Sequence, residues 1–104
     1  MDQSKPFRYI IESVTQDGKR FRPSDWIDRL SSWDASFDQH RLVYSDRLHP
    51  VNIKGEKCLA VEPALKEQAP AMYEQILNFA RTNRLRAHRQ TPDGEMTEVS
   101  LDDL

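Results

Sequence analysis

A chain of 104 residues is long enough for one domain and too short for two. Its 38% hydrophobic and 31% charged residues describe a modest core under a polar surface, and one cysteine excludes an internal disulfide. The net charge of −2 hides an asymmetry: residues 91–104 hold five acids and no base, which leaves residues 1–90 net positive.

Residues 1–6 read as a flexible arm. No apolar run approaches the ~20 residues that span a bilayer, and the first residues lack an apolar signal core, so the expected location is cytoplasmic. Phe7 to Thr15 is rich in aromatic and β-branched residues and predicts a strand. Asp17-Gly18 supplies a tight turn, after which Lys19 to Arg22 runs back beside that strand. Ser24 is the expected N-cap of a first helix. Trp26, Leu30 and Trp33 fall on one stripe of it, and the helix is expected to end near Trp33. Asp34 to Asp38 shows no period.

Arg41 to Ser45 predicts a short strand. Leu48 to Ile53 contains Pro50 and reads either as a loop or as an edge strand. Lys57 to Val61 predicts a second central strand, closed by Glu62-Pro63. A long helix opens at Pro70, where a missing N–H costs nothing. Its face carries Tyr73, Ile76, Leu77 and Ala80, and Asn83 is the expected left-handed cap. Leu85 to Arg89 alternates as a half-exposed strand does. Residues 91–104 read as an acidic, disordered tail.

The expected architecture is therefore α+β, one domain over 7–90. Two helices lie on one face of a mostly antiparallel sheet of about four strands. A ferredoxin-like βαββαβ order with an extra N-terminal hairpin is one form of it. The predicted core is Trp26, Leu30, Trp33, Tyr73, Ile76, Leu77 and Ala80.

The run Phe21-Arg22-Pro23-Ser24-Asp25-Trp26 is followed by Tyr44-Ser45, by Gly55-Glu56-Lys57-Cys58-Leu59 and by Asn78-Phe79-Ala80 with Asn83 and Leu85. In these residues the chain resembles an uncharacterised small-protein family of proteobacteria, a domain of unknown function, over roughly residues 7–90. The resemblance implies a compact α+β domain and brings no activity, ligand or site with it.

The residues themselves exclude several chemistries. His40, His49, His88 and Cys58 lack the short spacings of metal sites, so no metal ligand set is expected. Gly18, Gly55 and Gly94 sit in separate turns, so no phosphate-cradling loop and no cofactor is expected. Cys58 lies in Lys57-Cys58-Leu59-Ala60-Val61 and reads as a small core residue rather than a nucleophile. No small-molecule site is identifiable, and no catalytic residue is assigned.

Arg81, Arg84, Arg86, His88 and Arg89 form a basic cluster suited to nucleic acid or an acidic partner. The competing readings are solvated strand positions, helix-dipole complementation by Arg81 and Arg84, and transient cover by the acidic tail. The leading functional expectation is a non-catalytic protein-interaction or regulatory module that binds another protein or its own copy. A weak RNA or DNA binder using the basic C-terminal strand is one alternative. A small enzyme or enzyme subunit using Cys58, His49 or Tyr44 is the other.

Overall fold

A computed structural model describes residues 7–21 and 25–104. The proposed arm over 1–6 and the Ser24 cap lie outside the described residues. Strand β1 (Arg8–Thr15) is followed by helix α1 (Trp26–Ser31) and a 3-10 turn over Ser32–Asp34. Strands β2 (Ser36–Asp38) and β3 (Arg41–Val43) come next, then β4 (Leu48–Ile53) and β5 (Glu56–Val61). Helices α2 (Pro63–Gln68) and α3 (Pro70–Thr82) precede β6 (Leu85–Gln90) and β7 (Met96–Val99). A 3-10 turn over Leu101–Asp103 ends the chain.

Five strands form one antiparallel sheet in the order β4-β5-β1-β6-β7, and β2 and β3 pair apart from it. The order β4-β5-β1-β6, with helices after the first and third of its strands in the chain, is that of a ferredoxin-like βαββαβ unit. The fold is thus α+β, with β7 added at the edge beside β6.

Strand alternation sorts side chains to two faces. Ile11, Leu59, Val61, Leu48, Leu85 and Ala87 join residues of α1, α2 and α3 in the main buried cluster. Ile10, Cys58 and Ala60 form a second, smaller cluster made of sheet residues alone. All helices therefore cover one face. The predicted core residues Trp26, Leu30, Tyr73, Ile76, Leu77 and Ala80 are buried there. The Trp26 indole donates from Nε1 to Ser13 Oγ at 2.5 Å, which satisfies its one polar atom.

Several expectations need correction. Trp33 is 44% exposed, because α1 stops at Ser31 and the 3-10 turn breaks the 3.6-residue period that placed it on the stripe. Arg41–Val43 is not a strand of the main sheet; that place belongs to β4. Pro50 is tolerated in β4 because this strand lies at an edge, where an absent N–H breaks no ladder. β5 ends before Glu62-Pro63 as expected, but Pro63 also opens a helix, α2, as its first-turn residue, and the sequence reading has no helix there. Asn83 has φ −96°, and the left-handed residue is Arg84 at φ 54°. Asn83 instead closes the helix by donating from Nδ2 to the Phe79 carbonyl at 2.8 Å.

The C-terminal segment is ordered into the fold rather than a disordered tail. Gly94, at φ 92°, turns the chain, and β7 pairs with β6 from Ala87↔Val99 to Gln90↔Met96. Leu101 is buried in the main cluster, with Val99 and Leu104 packed against it. With Met96 packed on the second cluster, four apolar residues of this acidic segment dock on the fold. No helix among the described residues is long and apolar enough to cross a membrane.

Candidate functional site

The large hydrophobic side chains that remain exposed among the described residues are Trp33, Phe37, Leu42 and Val43. All four fall within eleven consecutive positions. Scattered exposed apolar residues are ordinary, whereas these four are concentrated along a short stretch of chain. Phe37, at 77% exposed, pairs directly with Leu42 (45%) across β2 and β3. Opposite residues of an antiparallel pair share a face, so the two side chains project together. Every residue of both strands is exposed.

The ribbon is held by its two ends. At the tip, Gln39 (φ 52°) and His40 (φ 68°) both take left-handed backbone between Asp38 and Arg41. This is the twist that suits a two-residue hairpin, but it is costly for residues other than Gly or Asn. At the base, Asp34 accepts from Ser45 Oγ at 2.6 Å and from Arg47 Nε at 3.0 Å and Nη2 at 2.7 Å. Arg47 also reaches Gln68 Oε1. The Asp34 carboxylate thus ties the chain entering the ribbon to the chain leaving it. Partial burial pushes the Asp34 carboxyl up. The Ser45 hydroxyl and the Arg47 guanidinium more than offset this and hold it below the ordinary carboxylate value.

Beside Trp33 lies a shallow hollow of about 410 Å³, lined by Trp33, Phe79, Gln75, Asn78, Thr82 and Asn83. None of these carries a charge. Behind it Phe79 stacks with Trp26 at 5.3 Å between ring centroids, and Phe21 meets both rings edge-on.

The open face of the sheet offers different chemistry. A depression of about 540 Å³ includes Glu12, Cys58, Arg86, His88, Met96 and Glu98 in its lining. His88 Nε2 lies 2.6 Å from Glu12 Oε2. His49 Nδ1 and His88 Nε2 are buried without a hydrogen-bond partner among the described residues. Burial, and then the carboxylates of Glu12 and Glu56, push the Cys58 thiol up to about 11. At neutral pH it is a protonated thiol, the opposite of an activated nucleophile. Among the described residues no three His, Cys, Asp or Glu side chains form a metal-holding group.

The five basic residues singled out by sequence do not share one surface. Arg81 turns to the C-terminal segment, with Nε 3.4 Å from the Leu101 carbonyl and 3.8 Å from the Asp102 carboxylate. Arg84 occupies the turn after α3. Arg86 and His88 line the open face, and His88 stands opposite Glu98 of β7. Arg89 sits on the other face of β6, its guanidinium 5.5 Å from the centroid of the Phe7 ring. The acidic segment does meet this cluster, as a paired strand.

Sequence reasoning places a strand over Arg41 to Ser45, which holds β3, but misses β2 and the pairing of the two. Phe37 and Leu42-Val43 bracket four polar residues, the pattern of a short hairpin, but the turn lacks the Asn-Gly or Asp-Gly signal that makes such a pattern stand out.

The model of a family described as protein of unknown function (DUF3579) matches residues 5–90. A solution structure described as the first structural representative of its family is 37% identical, with a TM-score of 0.72. It is matched over 97% of this chain and 93% of its own. No curated protein matches.

Proposed function

Because the chain belongs to the DUF3579 family, whose function is unknown, we propose its role from its own surface: a non-catalytic protein-interaction module that engages an apolar partner through the 33–43 segment. The observation that carries this reading is Phe37, which stands 77% exposed beside Leu42 on a ribbon clamped at its base. A rigidly presented aromatic anchor loses little entropy on docking. The dispersal of Arg81, Arg84, Arg86 and Arg89 over separate surfaces favours this reading over a phosphate-binding strip. The raised thiol pKa of Cys58 favours it over a cysteine-dependent enzyme. A lone buried cysteine suits a reducing, cytoplasmic setting.

A photo-crosslinking amino acid placed at position 37 or 42 in cells tests the proposal. Protein adducts are expected from both positions and not from position 16, an exposed polar site on the N-terminal turn. Equal adduct formation from all three positions, or from none, overturns it.

A further inference from the structure

We propose that the open face of the sheet binds a small zwitterion with an apolar body, an α-amino acid such as leucine, between Glu12 and Arg86. This goes beyond the ribbon reading and does not depend on it. The helices lie over the other face. The depression on this one, about 540 Å³, falls in the range of ligand sites, about 300–1,000 Å³. Its floor is apolar. Cys58 is buried with Ile10 and Ala60, and Ile53 and Met96 pack on that cluster from the two edge strands, β4 and β7. A short aliphatic body rests there.

Opposite charges share this depression without neutralising one another. Glu12 has His88 Nε2 2.6 Å away, and both side chains are mostly buried. Glu98 stands directly opposite His88 on β7. Glu56 is held by Arg20. Arg86 lies on the same face of β6 as His88, two positions away. Among the described residues it has no hydrogen bond and no ion pair, nor does Glu98. Adjacent strands are about 4.8 Å apart, so Glu12 on β1 and Arg86 on β6 are within reach of one small molecule. A carboxylate and a guanidinium that line one hollow and leave the space between them open match a ligand carrying both charges. A plain amine leaves Arg86 without a partner, and a plain acid leaves Glu12 facing like charge.

The orientation follows from the floor. Burial, and then the Glu12 and Glu56 carboxylates, push the Cys58 thiol up to about 11. That part of the hollow is therefore negative and takes the ammonium. Arg86 takes the carboxylate, with a fork suited to two parallel hydrogen bonds. Lys54, the remaining cation of the lining, sits in the β4–β5 turn, separated from β6 by β5 and β1.

Titration of the full, isotope-labelled chain with L-leucine at neutral pH, followed by amide NMR, tests this. A dissociation constant on the order of 1 mM is expected for a ligand of about nine non-hydrogen atoms at an open site. Saturable shifts are expected at Cys58, Arg86, His88 and Glu98, and not at Phe37 or Leu42. Two truncated ligands separate the charges: isoamylamine keeps the ammonium, and isocaproate keeps the carboxylate. Each is expected to bind at least about tenfold more weakly than leucine, the effect of losing one hydrogen-bonded charge. Arg86→Gln changes a residue outside both buried clusters and is expected to bring leucine down to the level of the amine. Glu12→Gln is expected to bring leucine down to the level of the acid. Isocaproate on the wild-type chain reads that same contact with no change to the protein.

No saturable shift up to about 20 mM leucine overturns the proposal. So does an amine or an acid that binds as tightly as leucine, and so does leucine binding indifferent to Arg86→Gln. Shifts confined to the ribbon overturn it as well, and leave the interaction module standing.

Discussion

The ribbon and the C-terminal hairpin are the two peripheral β elements of the molecule, and they end in opposite ways. The C-terminal strand β7 is short and acidic, yet it completes a sheet edge and buries Leu101 in the main core. The ribbon strands are equally apolar, yet β2 and β3 pair only with each other and expose Phe37, Leu42 and Val43. Apolar content therefore does not decide whether a segment docks. A free edge beside β6 was within reach of the C-terminal segment, whereas the ribbon is tied at its base by Asp34 and Arg47 and points away.

The sharpest way to break this contrast is to compare the two tryptophans, seven positions apart. Trp26→Ala is expected to cost about 3–5 kcal/mol, since its buried ring packs against Phe79 and Phe21. Trp33→Ala is expected to cost less than about 1 kcal/mol, as substitutions of surface residues do. Urea unfolding of both variants measures the difference, and comparable losses would erase the boundary between body and ribbon.

Docking of the C-terminal hairpin is tested next. Leu101→Ala is expected to destabilise by about 2–4 kcal/mol and to loosen β7, read as faster amide exchange from Met96 to Val99. A loss near zero would return that segment to the status of a free tail.

The clamp at the ribbon base predicts a pH dependence. Asp34→Asn is expected to cost about 1–3 kcal/mol at pH 7, the range for hydrogen bonds to a charged group. The folded-state pKa of Asp34 is lowered from 3.8, so its contribution is fully present above that value. It is lost as pH falls through the lower folded pKa. The stability gap between wild type and variant should therefore close progressively below about pH 4, the ordinary carboxylate range. A gap that persists at acid pH would show that the ion pair is not its source.

The smallest effect is at the ribbon tip. Gln39→Asn with His40→Gly puts the residues preferred for this turn where left-handed backbone is now held by a glutamine and a histidine. A gain of about 0.5–1 kcal/mol is expected. A loss would mean that the tip conformation is supported by contacts the present side chains make.

Much of the fold was legible because periodicity is local. β1, α3 and β6 each announce themselves in their own residues: a β-branched run, a wide apolar stripe opened by Pro70, and an alternation from Leu85. The burial of Trp26, Tyr73, Ile76 and Leu77 follows from the same local pattern. The candidate site was not legible. Phe37 has no periodic partner in sequence, and its meaning lies in what fails to cover it. The arginines that look like one patch along the chain are spread over α3, the turn after it and the two faces of β6.

By itself, the sequence determined that β1 and β6 are extended, that α3 is helical and which side of α3 is apolar, because those properties depend on neighbours within a few residues. Only the tertiary structure decided that β4 rather than Arg41–Val43 joins the sheet, that the acidic end closes an edge, and that the ribbon remains outside. The physical reason is that strand pairing and burial are set by surfaces brought together from distant positions. A residue's own chemistry specifies that it needs a partner, and the assembled fold determines whether one is there.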